Sequence, residues 1–159
     1  IRAAMRVQSI QALIVKKSVI VDNDLIMVEG AAGQDTMFFQ ELALNCNSIQ
    51  GINKFIHVYY AAVAGSVTNT VSKTFFDKYY KLEIERIPFL KRYDLLDVYL
   101  KERLSFYIRK WYMPRLERVA EADKPEAEKR FLDIIALYDE FNPKYELEVQ
   151  EYLNNLKSK

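Results

Sequence analysis

Between Leu42 and Ser72 the chain carries one charged side chain, Lys54, in 31 residues, although 28% of the whole chain is charged. A run so poor in charge is either the most buried helix of a soluble domain or a marginal membrane segment. The choice between the two governs the rest of the reading.

For a span, Lys54 and Lys73 enclose 18 uncharged residues, about 27 Å of helix, just enough to cross a bilayer core. Ala61 and Gly65 stand at the small-xxx-small spacing that lets helices approach. Tyr59, Tyr60, Phe75 and Phe76 could mark the interfaces. Against a span, His57, Ser66, Thr68, Asn69, Thr70 and Ser72 dilute the run, and Asn69 and His57 would each need a partner in lipid. The preferred expectation is a central bundle helix from Ile52 to Ile87, ended by Pro88, because proline disfavours helix in the residue before it.

The other segments are also helical in pattern. Four glycines and four prolines in 159 residues leave few special turns, which favours helices over many short strands. Residues 1–17 read as helix. Ser18 to Gly30 suits either a helix, the preferred reading, or a small β-hairpin at 18–29 turning on Asp22-Asn23-Asp24. Gly30 to Gly33 is a loop without the spacing of a phosphate-binding loop. Asp35 or Thr36 can cap a helix to Asn45.

After Pro88, residues Leu96, Leu100, Leu104 and Ile108 form an i, i+4 stripe with Tyr93, Tyr107 and Trp111 beside it. Pro114 predicts a kink or restart. Asp123, Pro125 and Glu126 make a helix start, and Phe131, Ile134, Ile135, Tyr138 and Phe141 give the next helix one apolar face. Asn142-Pro143 predicts a further start, with Tyr145, Val149, Tyr152, Leu153 and Leu156 buried beyond it. The expected fold is an all-α bundle of five or six helices in one domain, 1–159.

The chemistry-bearing inventory is thin. Cys46 and His57 are the only residues of their kinds, so no intrachain disulfide forms and no ligand set of His or Cys exists. Cys46 is expected as a small core residue and His57 as a hydrogen-bonded core histidine. Glu83, Glu85, Asp94 and Asp97 are expected to be solvated. No catalytic residue, cofactor or metal is called for.

The first 21 residues hold no acid and four bases, Arg2, Arg6, Lys16 and Lys17, with apolar residues at helical spacing. The plain reading is an ordinary first helix with a solvated basic end; the composition also suits a mitochondrial targeting segment, or a helix on an anionic membrane or acidic partner. From Tyr107 to Arg118, the bases Arg109, Lys110, Arg115 and Arg118 interleave with Trp111 and Tyr112. The plain reading is that Tyr107 and Trp111 point inward while the bases lie outward near a helix C-terminus, where they favour the macrodipole; the mixture also suits docking onto an acidic protein surface, where Trp, Tyr and Arg are common anchors, or nucleic acid, where bases stack on aromatics.

The expected function is therefore a non-catalytic structural or interaction subunit of a larger assembly, at a membrane or in the mitochondrion. Its partners are other protein subunits, bound through Arg109, Lys110, Trp111, Tyr112, Arg115 and Arg118, with Arg2 and Arg6 contributing. Membrane contact would run through 1–21 or 55–72. The eleven tyrosines and nine phenylalanines exceed the expected needs of a core and point to interfaces. The alternatives are an RNA- or DNA-binding module using 107–118, and a small-ligand or enzyme domain with an apolar pocket near His57.

Overall fold

The computed structural model describes residues 10–58, 71–72 and 74–158. These form an all-α bundle, with no strand among the described residues. Helix α1 spans Lys17–Val21, α2 Gln34–Leu44 and α3 Thr74–Arg92. A composite helix, α4, joins α-helical Leu96–Tyr99, π-helical Leu100–Leu104, α-helical Ser105–Tyr107, π-helical Ile108–Tyr112 and α-helical Met113–Leu116. A 3-10 turn at Glu121–Asp123 leads into α5, Lys124–Asp139, and α6 spans Leu147–Lys157.

The core forms where α3 packs along α5. Phe76, Tyr79, Glu83, Arg86 and Leu90 recur on α3 at spacings of three and four, and all are buried. On α5, Ala127, Phe131, Ile134, Ile135 and Tyr138 face them. The rings interlock edge to face: Phe76 lies 5.9 Å from Phe131 and Tyr79 lies 5.5 Å from Tyr112, centroid to centroid. Such pairs add to the burial of the rings themselves. Much of the aromatic content thus fills the bundle, contrary to the expectation that it exceeds what a core needs.

Helix α4 has a stripe of stricter period than an α-helix allows. Leu96, Leu100, Leu104, Ile108, Tyr112 and Leu116 stand at steps of four, and all but the half-buried Leu96 are buried. In a pure α-helix each such step drifts about 40° around the axis. The two π segments are wider turns that take this drift out and keep the stripe on the core. Pro114 follows the second π segment directly, where the winding returns to α.

The central-helix expectation is corrected. Residues 51–58 carry no regular secondary structure and are exposed, with Phe55 fully in solvent at 104%. Of the remaining stretch, 59–70 and 73 lie outside the described residues, and helix resumes at Thr74. Pro88 does not end α3 but lies within it. Its ring and Ile84, whose carbonyl it leaves unbonded, both face solvent, where water can take over. The helix ends instead at Arg92 and is closed by Asp94, with φ +54°, as Leu95 N–H bonds Leu90 O at 2.8 Å and Asp94 N–H bonds Lys91 O at 3.2 Å. This is a Schellman closure.

The same device replaces the hairpin. Asp24, with φ +50°, closes α1 through Leu25 N–H to Ile20 O at 3.0 Å, so Asp22-Asn23-Asp24 terminates a helix. Residues 10–16 are not helical, and 1–9 lie outside the described residues. Asn142, at φ +48°, finishes α5, and the last helix begins only after Glu146. Gly33, at φ +75°, occupies the N-cap of α2 where Asp35 or Thr36 was expected.

Candidate interaction site

The basic-aromatic segment lies on α4, and the helix deals its members to different places. Tyr112 is turned inward, 1% exposed, and is not available to a partner. Arg109 is spent on α6: Nη2 lies 3.2 Å from Glu146 Oε2 and Nε 3.6 Å from Glu148 Oε2. Beside it, Glu146 N–H donates to Ser105 Oγ at 3.0 Å, which fixes the start of α6 on α4. Lys110 and Arg118 are exposed. Arg2 and Arg6 lie outside the described residues.

Trp111 is half-buried, as expected, but its Nε1 is buried rather than directed outward. One helical turn on, the Arg115 guanidinium lies 3.2 Å above the indole, and Nη1 donates to Trp111 O at 3.2 Å. Trp111 and Tyr79 meet edge to face at 6.2 Å. Burial pushes the Tyr79 phenol up to about 12, although Trp111 and Arg115 both act to lower it.

Behind this edge lies a charged cluster that corrects the solvated reading of Glu83. Glu83 and Arg86 are 1% and 2% exposed and pair at 3.0 Å, Arg86 Nε to Glu83 Oε2. Tyr112 Oη donates to Glu83 Oε1 at 2.7 Å, and Tyr138 Oη donates to Oε2. The Arg86 guanidinium rests 5.6 Å from the Tyr99 ring centre and 5.2 Å from that of Tyr107. Burial works against the Arg86 charge, but Glu83 and the surrounding phenols prevail and hold its pKa well above the ordinary value. Burial raises Tyr112 and Tyr138 well above the ordinary phenol range, with the Glu83 charge adding to the effect. The cluster ties α3, α4 and α5 together. It was legible in the stripe 76-79-83-86-90, where Glu83 and Arg86 occupy two core positions. Glu85, Asp94 and Asp97 are exposed, as expected.

The apolar surface lies elsewhere. Ile49, Ile52, Phe55, Ile56 and Val58 are 54–104% exposed on the irregular segment after α2, and Ile14 is fully exposed at 100%. None of residues 45–58 joins the hydrophobic core. His57 is exposed, not a core histidine, and borders an open depression of about 490 Å³ with Phe39 and Phe55. Cys46 is a free, half-buried thiol. Among the described residues no group of three His, Cys, Asp or Glu side chains could hold a metal ion, and no helix is long and apolar enough to cross a membrane.

No protein-family model matches the chain, and neither a curated protein nor a solved structure is significantly similar to it.

Proposed function

We propose that the chain is a non-catalytic interaction subunit, a helical body bearing an apolar arm, residues 45–58, that docks on another protein subunit. The observation that carries the reading is the exposure of Ile49, Ile52, Phe55, Ile56 and Val58 in the part of the chain poorest in charge. Large apolar side chains gathered and exposed along one segment are a feature of interaction sites.

Nucleic acid is favoured less. Arg109 is committed to Glu146 and Glu148, and Arg115 lies folded on Trp111, so two of the four bases from 109 to 118 are held by the body itself. The acid-free composition of residues 1–21 supports placing the assembly in the mitochondrion.

The test is the double change Ile52→Asp and Phe55→Asp. The chain, recovered from its native cells under gentle conditions, should run as part of a larger species. The variant should run alone, with an unchanged urea midpoint. A variant that stays in the larger species, or a wild type that runs alone, overturns the reading. Loss of helical signal in the variant overturns it too, because the arm would then belong to the core.

A further inference from the structure

A groove of about 540 Å³ opens between the α2 start, the early turns of α3 and the Trp111 edge of α4. Its volume falls within the range of small-molecule sites, roughly 300–1,000 Å³. The walls are apolar and aromatic, with Met27, Phe75, Tyr79 and Trp111 prominent, and Lys78 and Arg115 supply positive charge. Asp35 is the one acid among the lining residues.

Arg115 is the informative member. Its guanidinium is sandwiched against two rings, 3.2 Å from the Trp111 centre and 5.7 Å from that of Phe75. Among the described residues its Nη1 donates to Trp111 O. No carboxylate lies within ion-pair distance of it among the described residues, whereas Arg86, Arg92, Arg109 and Arg130 each have one. Partial burial lowers the Arg115 pKa, and the nearby Arg118 charge adds to the effect, against the Tyr79 and Tyr107 phenols. A desolvated guanidinium is ordinarily paired, and its planar fork matches a carboxylate.

Lys78 is exposed at the same groove and also lacks an ion pair among the described residues. With two bases against Asp35, the lining favours a single negative charge over a dianion. The start of α2 borders the groove too, and no side chain caps it. Gly33 packs so closely there that an added Cβ would sit 3.2 Å from Tyr79 Cε1.

We infer that this groove binds a small monocarboxylate with an apolar body, its carboxylate on Arg115 and Lys78 and its body against Trp111, Phe75 and Tyr79. The site is separate from the arm and does not rest on the docking reading.

The chain's single tryptophan reports on the site directly. Trp111 emission is followed during titration with decanoate and phenylacetate, with decanol and phenylethanol as uncharged counterparts, and with inorganic phosphate. The acids should give a saturable change and bind at least about tenfold tighter than the matching alcohols, since a charge-assisted pair distinguishes them. Arg115→Gln should remove that preference, so that acid and matching alcohol bind alike. Lys78→Gln should weaken acid binding a few-fold, and Asp35→Asn should strengthen it. If Arg115→Gln loses its helical signal, the opposite signs of the Lys78 and Asp35 variants decide the matter. No saturable response, equal binding of acid and alcohol, or phosphate binding tighter than both acids would each overturn the inference.

Discussion

Removing Glu83 alone should destabilise the bundle more than removing both members of the Glu83–Arg86 pair. In Arg86→Met the Glu83 carboxylate keeps the Tyr112 and Tyr138 hydroxyls as donors but loses its counterion at 3.0 Å. The expected cost is about 3 kcal/mol, the lower end for breaking a buried pair. In Glu83→Met the damage is larger. Arg86, 2% exposed, keeps only the faces of Tyr99 and Tyr107, and two buried phenols lose their acceptor. An uncompensated buried charge plus two orphaned hydroxyls costs about 5 kcal/mol or more. In the double variant no charge is buried and only the hydroxyls are stranded, about 2–4 kcal/mol in all. The double variant should therefore be more stable than Glu83→Met alone, and far more stable than the sum of the singles. Urea unfolding followed by circular dichroism measures all four corners of the cycle. Single costs under about 1 kcal/mol, or simple additivity, would refute the claim that the charges are buried and coupled.

Two further outcomes follow from the same packing. Tyr79 keeps its proton to about pH 12 in the fold, against about 10 for an ordinary phenol, so the folded chain binds a proton that the unfolded chain has released; stability should fall by roughly 3 kcal/mol between those limits, with phenolate absorbance rising late and together with loss of helix. Early phenolate formation without unfolding would contradict the burial of Tyr79. Pro88→Ala should restore a bond to Ile84 O within α3 and stabilise the chain by about 1–2 kcal/mol, the helix-interior penalty of proline less its restriction of the unfolded chain; a lower unfolding midpoint would show that α3 does not continue through Pro88.

The all-α bundle was readable because most of its helices carry long apolar periodicity. Phe131, Ile134, Ile135 and Tyr138 face the core as their spacing requires, and so do Val149, Leu153 and Leu156. Misreadings gathered at helix ends. Asp24, Asp94 and Asn142 all adopt positive φ and stop helices, yet Asp and Asn also start helices and turn hairpins, so composition alone does not separate these roles. Pro88 misled for a related reason. A proline is better tolerated inside a helix where the carbonyl it strands can reach water, and sequence does not state exposure. The period-four stripe of α4 was visible, but only the π segments show how the backbone meets it.

Charge depletion was the most constraining feature, and it misled about 52–58 because it reports that water is unwelcome, not what replaces it. The core provides no place for this stretch. Phe76, Phe89, Phe131, Tyr112 and Tyr138 already fill the space between α3, α4 and α5, each 2% exposed or less. Inserting Phe55 among them would overpack a closed interior, which costs as surely as a cavity does. Glu83 and Arg86 show the reverse error: charged residues in a helix of ordinary composition, read as solvated, are buried because each finds a partner within one turn. Charge predicts exposure only when pairing is known, and apolar character predicts burial only when the core has room. Both conditions are tertiary. Within the body Glu83 and Arg86 satisfy each other, whereas Ile49, Ile52, Phe55, Ile56 and Val58 keep their apolar side chains in solvent.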